Sequence, residues 1–131
     1  MFKETDELTG FLGSETKIDG NLITKKLLRF DGFLKGKIYS NDSVIIGASA
    51  KIIGEIYCRN LKFDGELEGD IYCLERAELK ENSRVNGNIF SEKLELHDHG
   101  FVNGKVFVGK FARKKLEEKF ESIKKELGIE K

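Results

Sequence analysis

The chain contains no proline, two cysteines and one methionine. No apolar run approaches the roughly 20 residues that a transmembrane helix needs. Without proline, turns fall to Asn, Asp and the 14 glycines. Neither sign of charge is in excess: 23 Lys and Arg face 23 Asp and Glu. That balance excludes a nucleic-acid binder recognised by bulk charge and leaves room only for a local basic patch. The stretch from Met1 to Leu8 carries Lys3, Glu4, Asp6 and Glu7 with no apolar segment behind it, so no secretory signal is expected. Two cysteines in such a chain point to reduced thiols in a cytosol. What is plentiful is charge, at 35% of 131 residues, above the roughly 25% of ordinary domains. The length suits one domain, or one domain with a tail.

An internal repeat organises the chain. Six glycines are each followed two residues later by an aliphatic: Gly20/Leu22, Gly36/Ile38, Gly54/Ile56, Gly69/Ile71, Gly87/Ile89 and Gly104/Val106. Two residues before each glycine stands another aliphatic: Ile18, Leu34, Ile52, Leu67, Val85 and Val102. A third set alternates as Leu28/Phe30, Val44/Ile46, Leu61/Phe63, Ala77/Leu79 and Leu94/Leu96, with Leu12 and Ser14 as a weaker first copy. Period two is the strand signal. A unit of roughly 17 residues is too short for helical-hairpin repeats. The pattern predicts an all-β solenoid of about six coils, each with three short strands, stacked in parallel about 4.8 Å apart. The repeated glycine marks a tight turn. Asp31-Gly32 and Asp64-Gly65 make short corners, while the corners after Ile46, Leu79 and Leu96 are two residues longer and should bulge on one side of the rod. The expected organisation is a flexible polar arm over 1–11, the solenoid over 12–110 and a C-terminal amphipathic α-helix over 111–131.

Stacking turns repeat positions into columns. Thr24, Ser40, Cys58, Cys73, Ser91 and Val108 form an inward column of small residues. Cys58 and Cys73 are therefore expected as buried neighbouring thiols, since two sulfurs without further ligands make a poor zinc site. Ile23, Tyr39, Tyr57, Tyr72, Phe90 and Phe107 form an outward column. Exposed apolar stripes mark contacts. Either the N-terminal arm or the C-terminal helix covers this one, or Tyr39, Tyr57, Tyr72 and Phe90 make lateral contacts between rods. His97 and His99 flank Asp98 in the last long corner, which reads as a solvated turn rather than a metal or catalytic site. In the helix, Phe111, Leu116, Phe120, Ile123 and Leu127 make an apolar stripe, and Gly128 ends it. That stripe suits a cap on the last coil, or else a coiled-coil partner. The solenoid ends carry unpaired edges and open apolar layers: Leu12, Ile18 and Leu22 at the first coil, and Leu94, Leu96, Phe101, Val102, Val106 and Phe107 at the last. These residues form the expected polymerisation interface.

The stretches Thr16-Lys-Ile-Asp-Gly-Asn-Leu, Phe30-Asp-Gly-Phe-Leu-Lys-Gly-Lys-Ile, Ala50-Lys-Ile-Ile-Gly-Glu-Ile and Phe63-Asp-Gly-Glu-Leu-Glu-Gly-Asp-Ile resemble the bactofilin family of bacterial cytoskeletal proteins. The resemblance runs from Leu12 to Lys110. It implies a right-handed, three-faced β-helix that polymerises end to end without a nucleotide or other cofactor. It also implies a homopolymer at the inner face of the cytoplasmic membrane that scaffolds cell-wall or morphogenesis proteins. Met1, Phe2 and Lys3 look like the short membrane-contacting tip of many members. The chain departs from members with proline-rich tails by carrying a helix instead.

The rival reading is a hexapeptide-repeat acyltransferase on a left-handed β-helix, suggested by Val44-Ile-Ile-Gly-Ala-Ser-Ala-Lys-Ile-Ile-Gly. Coils of 15 and 16 residues break the six-residue period it demands. No phosphate loop, serine triad or metal signature is present. The sequence reads as a non-enzymatic polymer subunit.

Overall fold

The computed structural model describes residues 8–129. Among these residues, twelve strands precede one helix. In chain order the strands are β1 (Leu8–Leu12), β2 (Lys17–Asp19), β3 (Leu22–Thr24), β4 (Leu27–Phe30), β5 (Phe33–Ser40) and β6 (Ser43–Ile46). There follow β7 (Lys51–Phe63), β8 (Glu66–Leu79), β9 (Arg84–Asn86), β10 (Ile89–Leu96), β11 (Phe101–Asn103) and β12 (Val106–Val108), then α1 (Lys110–Leu127). Every strand pairing is parallel. The chain is a parallel β-solenoid of about six turns with a C-terminal helix.

Three ladders give the rod three faces. On the first, Ile18, Leu34, Ile52, Leu67, Val85 and Val102 lie in register. On the second, Leu22, Ile38, Ile56, Ile71, Ile89 and Val106 do so. On the third, Leu12, Phe30, Ile46, Phe63, Leu79 and Leu96 stack beside Leu28, Val44, Leu61, Ala77 and Leu94. In the middle coils these side chains are fully buried and form one core along the axis. The alternation read from the sequence is this core, seen one coil at a time. Six rungs at the parallel-strand spacing give a rod roughly 29 Å long.

The first coil begins earlier than the repeat suggests. Its inward pair is Gly10 and Leu12, which align with Leu28 and Phe30, not Leu12 and Ser14. Ser14 is exposed in a turn. Gly10 has no side chain to mark the alternation, and a Cβ there would sit 3.3 Å from Leu28 Cδ1. Strand β1 therefore occupies part of the stretch read as a flexible arm, and the solenoid starts at Leu8 rather than Leu12.

The repeated glycines turn the chain between the first and second faces. Their φ angles lie between 145° and 159°, a region that L side chains avoid. From Gly36 onward, a Cβ would fall 1.6–1.9 Å from the carbonyl oxygen of the glycine one coil earlier. All four long corners connect the third face to the first, so they bulge along one edge of the rod. Each is closed by the same turn bond: Thr16 N–H to Gly13 O, Ala50 to Gly47, Ser83 to Lys80 and Gly100 to His97, at 3.0–3.1 Å. The short Asp-Gly corners tuck beneath them. A Cβ on Gly32 would lie 2.3 Å from Thr16 O.

The helix does not cap the last coil. Gly109 (φ 69°) donates its N–H to Ser91 O and reverses the chain. α1 then runs back along the second face. Arg113 pairs with Glu92 (2.7 Å) at its start, and Glu126 pairs with Lys37 (2.6 Å) near its end. Its 18 residues span about 27 Å, close to the length of the rod. Gly128 (φ 75°) ends it: its N–H donates to Lys125 O, and the Ile129 N–H donates to Lys124 O.

Gly54→Ala should therefore destabilise the fold by about 3 kcal/mol or more, from strained φ together with a backbone collision. Gly13→Ala, with nothing within 4 Å of the added Cβ, should melt within a few degrees of wild type. Thermal unfolding followed by circular dichroism checks both, and equal melting of the two variants would contradict the stacking constraint.

Candidate functional site

Both ends of the rod carry unpaired strand edges. At the first coil, β1, β2 and β3 bond to a neighbour on one side only. At the last coil, β11, β12 and the 93–96 segment of β10 do the same. Leu12, Ile18 and Leu22 are half-buried in the first layer, as are Leu94 and Val102 in the last. Leu96, Phe101 and Val106 are exposed. Phe107 faces outward and stacks on Phe90 at 4.8 Å, so it belongs to the outer column rather than the end layer. Among the described residues, the exposed large hydrophobic side chains are Phe11, Ile23, Leu96, Phe101, Val106, Val108 and Phe111. All lie in the first coil, in the last coil or at the foot of α1. The four coils between expose none.

Phe11, Ile23 and Val108 join the ends without having been anticipated there. Phe11 and Ile23 point outward in short edge strands, whereas Val108 belongs to the inward column, pairs with Ser91 and is exposed because it lies in the last coil. A further mark of incompleteness is Thr24, whose Oγ1 is buried without a partner. In its column, Ser40 Oγ donates to Lys26 O (2.8 Å) and Cys73 Sγ to Arg59 O (3.2 Å), each reaching one coil back. Thr24 sits in the first coil, where the described residues supply no earlier coil to reach.

The outward aromatic column meets α1. Tyr39, Tyr57, Tyr72 and Phe90 are buried against Ala112, Leu116, Phe120 and Ile123. Tyr57, Tyr72, Phe90 and Phe107 form a continuous stack with centroids 4.8–5.2 Å apart. Phe120 meets Tyr57 edge-on at 5.6 Å, and Lys119 lies 5.1 Å over the Tyr72 ring. The helix is thus the cover for this face, and Tyr39, Tyr57, Tyr72 and Phe90 do not form a free lateral surface while it is in place. The apolar stripe of the helix differs by one position from its sequence reading: Ala112 is buried and Phe111 is 76% exposed. The tyrosine hydroxyls reach the column's edge and donate to Asn41, Glu55 and Asp70.

Cys58 and Cys73 are free, fully buried and aligned on adjacent rungs. Burial pushes the Cys58 thiol well above the usual thiol range, and the Cys73 sulfur beside it adds to the push. Cys73 donates to the carbonyls of Arg59 and Arg76 at 3.2 and 3.1 Å. Ser40 and Ser91 make equivalent donations in the same column. Met1, Phe2 and Lys3 lie outside the described residues. No described helix is long and apolar enough to cross a membrane.

Residues 10–107 match the family model Bactofilin, described as polymer-forming cytoskeletal. The chain belongs to the bactofilin family. No curated protein and no solved structure matches it. The bactofilin match ends within β12, so α1 lies beyond it, while the column that α1 covers lies within it. This is a structural, cytoskeletal family, and the β-solenoid fits a scaffold role.

Two outcomes test the covered face and the thiol column of this bactofilin. Its three tyrosines are Tyr39, Tyr57 and Tyr72, so alkaline absorbance titration reports on that column alone. Burial raises all three, and the Glu55 and Asp70 carboxylates raise Tyr57 and Tyr72 further. A neutral acid with a raised folded pKa adds stability below its unfolded value, and that stability fades as pH climbs toward the folded value. Tyrosinate should therefore be nearly absent at pH about 10, where free tyrosine is half ionised. Truncation after Gly109 should return the titration close to that of free tyrosine. For the thiols, the Cys58→Ser/Cys73→Ser double variant should melt within a few degrees of wild type, because serine already serves this column. A loss of more than about 3 kcal/mol in denaturant titration would show that the sulfurs fill space serine cannot.

Proposed function

We propose that this bactofilin assembles end to end into filaments that need no nucleotide, and that the filament is held at the inner face of the bacterial membrane and positions cell-shape or cell-wall machinery. One observation carries the assembly reading: exposed large hydrophobics are confined to the two ends of a rod whose flanks are charged or covered. A second copy stacked on either end would continue the ladders, bury the half-exposed layer and offer Thr24 Oγ1 the neighbouring coil it lacks. Because α1 lies along the side, it leaves both ends uncovered for such contacts.

The membrane part of the proposal rests on Met1-Phe2-Lys3. One such dipeptide contributes only a few kcal/mol of burial, but a polymer presents many copies at once and binds by avidity.

Purified protein should form filaments visible by electron microscopy without nucleotide. Ile18→Arg and Val106→Arg each place a charge in an end layer. Either should raise the critical concentration more than about tenfold while β-type circular dichroism persists. Wild-type filaments from both variants would refute end-to-end assembly. Truncation after Gly109 should leave filaments intact, because α1 covers no end, and should promote bundling through the uncovered tyrosines. Deleting Met1 and Phe2 should release filaments from anionic liposomes without dissolving them, and unchanged co-sedimentation would remove the tip as anchor.

A further inference from the structure

The outward column on the third face reads Arg29, Ile45, Lys62, Glu78 and Glu95. Glu78 and Glu95 are direct partners on adjacent rungs, and like charges in that relation oppose pairing. Nothing in the core requires them. The last long corner then brings His97 to both. Its Nε2 stands 2.7 Å from Glu78 Oε2 and 3.5 Å from Glu95 Oε2. A neutral imidazole has one proton to give at that nitrogen, so it satisfies one carboxylate and leaves the other facing it. Arg76 holds the second oxygen, Oε1, of Glu95 and turns Oε2 toward the imidazole. The His-x-His corner thus gains two companion donors, Glu95 from two residues earlier and Glu78 from the previous coil.

We propose that Glu78, Glu95 and His97 form a binding site for a divalent transition-metal ion, with zinc the best fit. The three donor atoms lie within 4.8 Å of one another. A tetrahedral zinc with bonds of about 2.0–2.1 Å needs ligand atoms about 3.3 Å apart. Small rotations of these partly exposed side chains reach that geometry. One imidazole nitrogen with two carboxylates favours zinc, cobalt or nickel over calcium and magnesium, which take oxygen ligands. Glu95 and His97 also line a surface hollow with Glu81, Asp98 and His99, which leaves room for a water as fourth ligand. The ion would resolve the Glu78–Glu95 repulsion and tie the last corner to the coil before it. Leu96, between two of the ligands, lies in the end layer, so the site borders an assembly surface without depending on it.

The test is calorimetry of the full-length, chelator-treated protein with zinc chloride alone. One equivalent should bind with Kd of about 10 µM or tighter. His97→Gln and Glu78→Gln should each weaken binding at least tenfold, whereas Glu81→Gln should not. All three changes are at the surface, and matching melting curves in the absence of metal establish that the variants fold. Cobalt(II) added to wild type should give ligand-field bands without a thiolate charge-transfer band. No saturable heat, several weak equivalents from adventitious carboxylate binding, binding that survives both variants, or a thiolate band placing the metal at Cys58 and Cys73 would each overturn the assignment.

Discussion

The rod depends on how closely successive coils approach at one point. At each turn between the first and second faces, a glycine carbonyl fills the space where the next glycine would carry a Cβ. A coil therefore cannot slip by a residue without driving a side chain's Cβ into that carbonyl. This fixed stagger puts Ile above Ile, Tyr above Tyr and Cys above Cys. It converts a sequence with a loose period of 15 to 18 residues into straight columns. The variation in length is absorbed at a single edge, where turns closed by one hydrogen bond alternate with tucked Asp-Gly corners until the last coil.

Much of this was legible because strand parity is a local property. Ile52, Gly54 and Ile56 announce two faces and the turn between them within five residues. Legibility failed where a signal needed a side chain that is absent, as at Gly10, or a partner far away in sequence. The stripe on α1 showed that the helix must cover something, but an apolar stripe does not encode which surface it meets. The end of the rod and the tyrosine column both offered one. What decides is the turn at Gly109, the pairing of Arg113 with Glu92, and the match between helix length and rod length. The same limit applied to His97. Its neighbours in sequence include one carboxylate that reaches it, Glu95, but the shorter contact comes from Glu78 on the previous coil.

The two ends and the covered flank divide the surface by use. Among the described residues, large apolar side chains stay exposed only in the two terminal coils and at the foot of α1, while the apolar flank is closed by the chain's own helix. A rod built this way has few ways to associate: contacts along the axis continue the existing hydrogen-bond pattern, and contacts from the side meet charge. The pairing of Lys37 with Glu126, 89 residues apart, is the outermost clasp of that closure.

That clasp changes what kind of object the solenoid is. A bare stack of repeats communicates only between neighbours and can fray coil by coil from either end. Here α1 is rooted in the last coil and fastened at the second, so it acts as a splint in parallel with four ladder junctions. Pulling the last coil away means lifting the helix from Phe90, Tyr72, Tyr57 and Tyr39 in turn. The first coil lies beyond the splint's reach, and Ile23, its member of the column, remains 47% exposed. One terminal rung is thus held only by the ladder on a single side, so the subunit is mechanically asymmetric: clamped at one end and compliant at the other. In the proposed filament, a copy stacked on the compliant end would supply the missing support, and folding of that rung would finish only on contact.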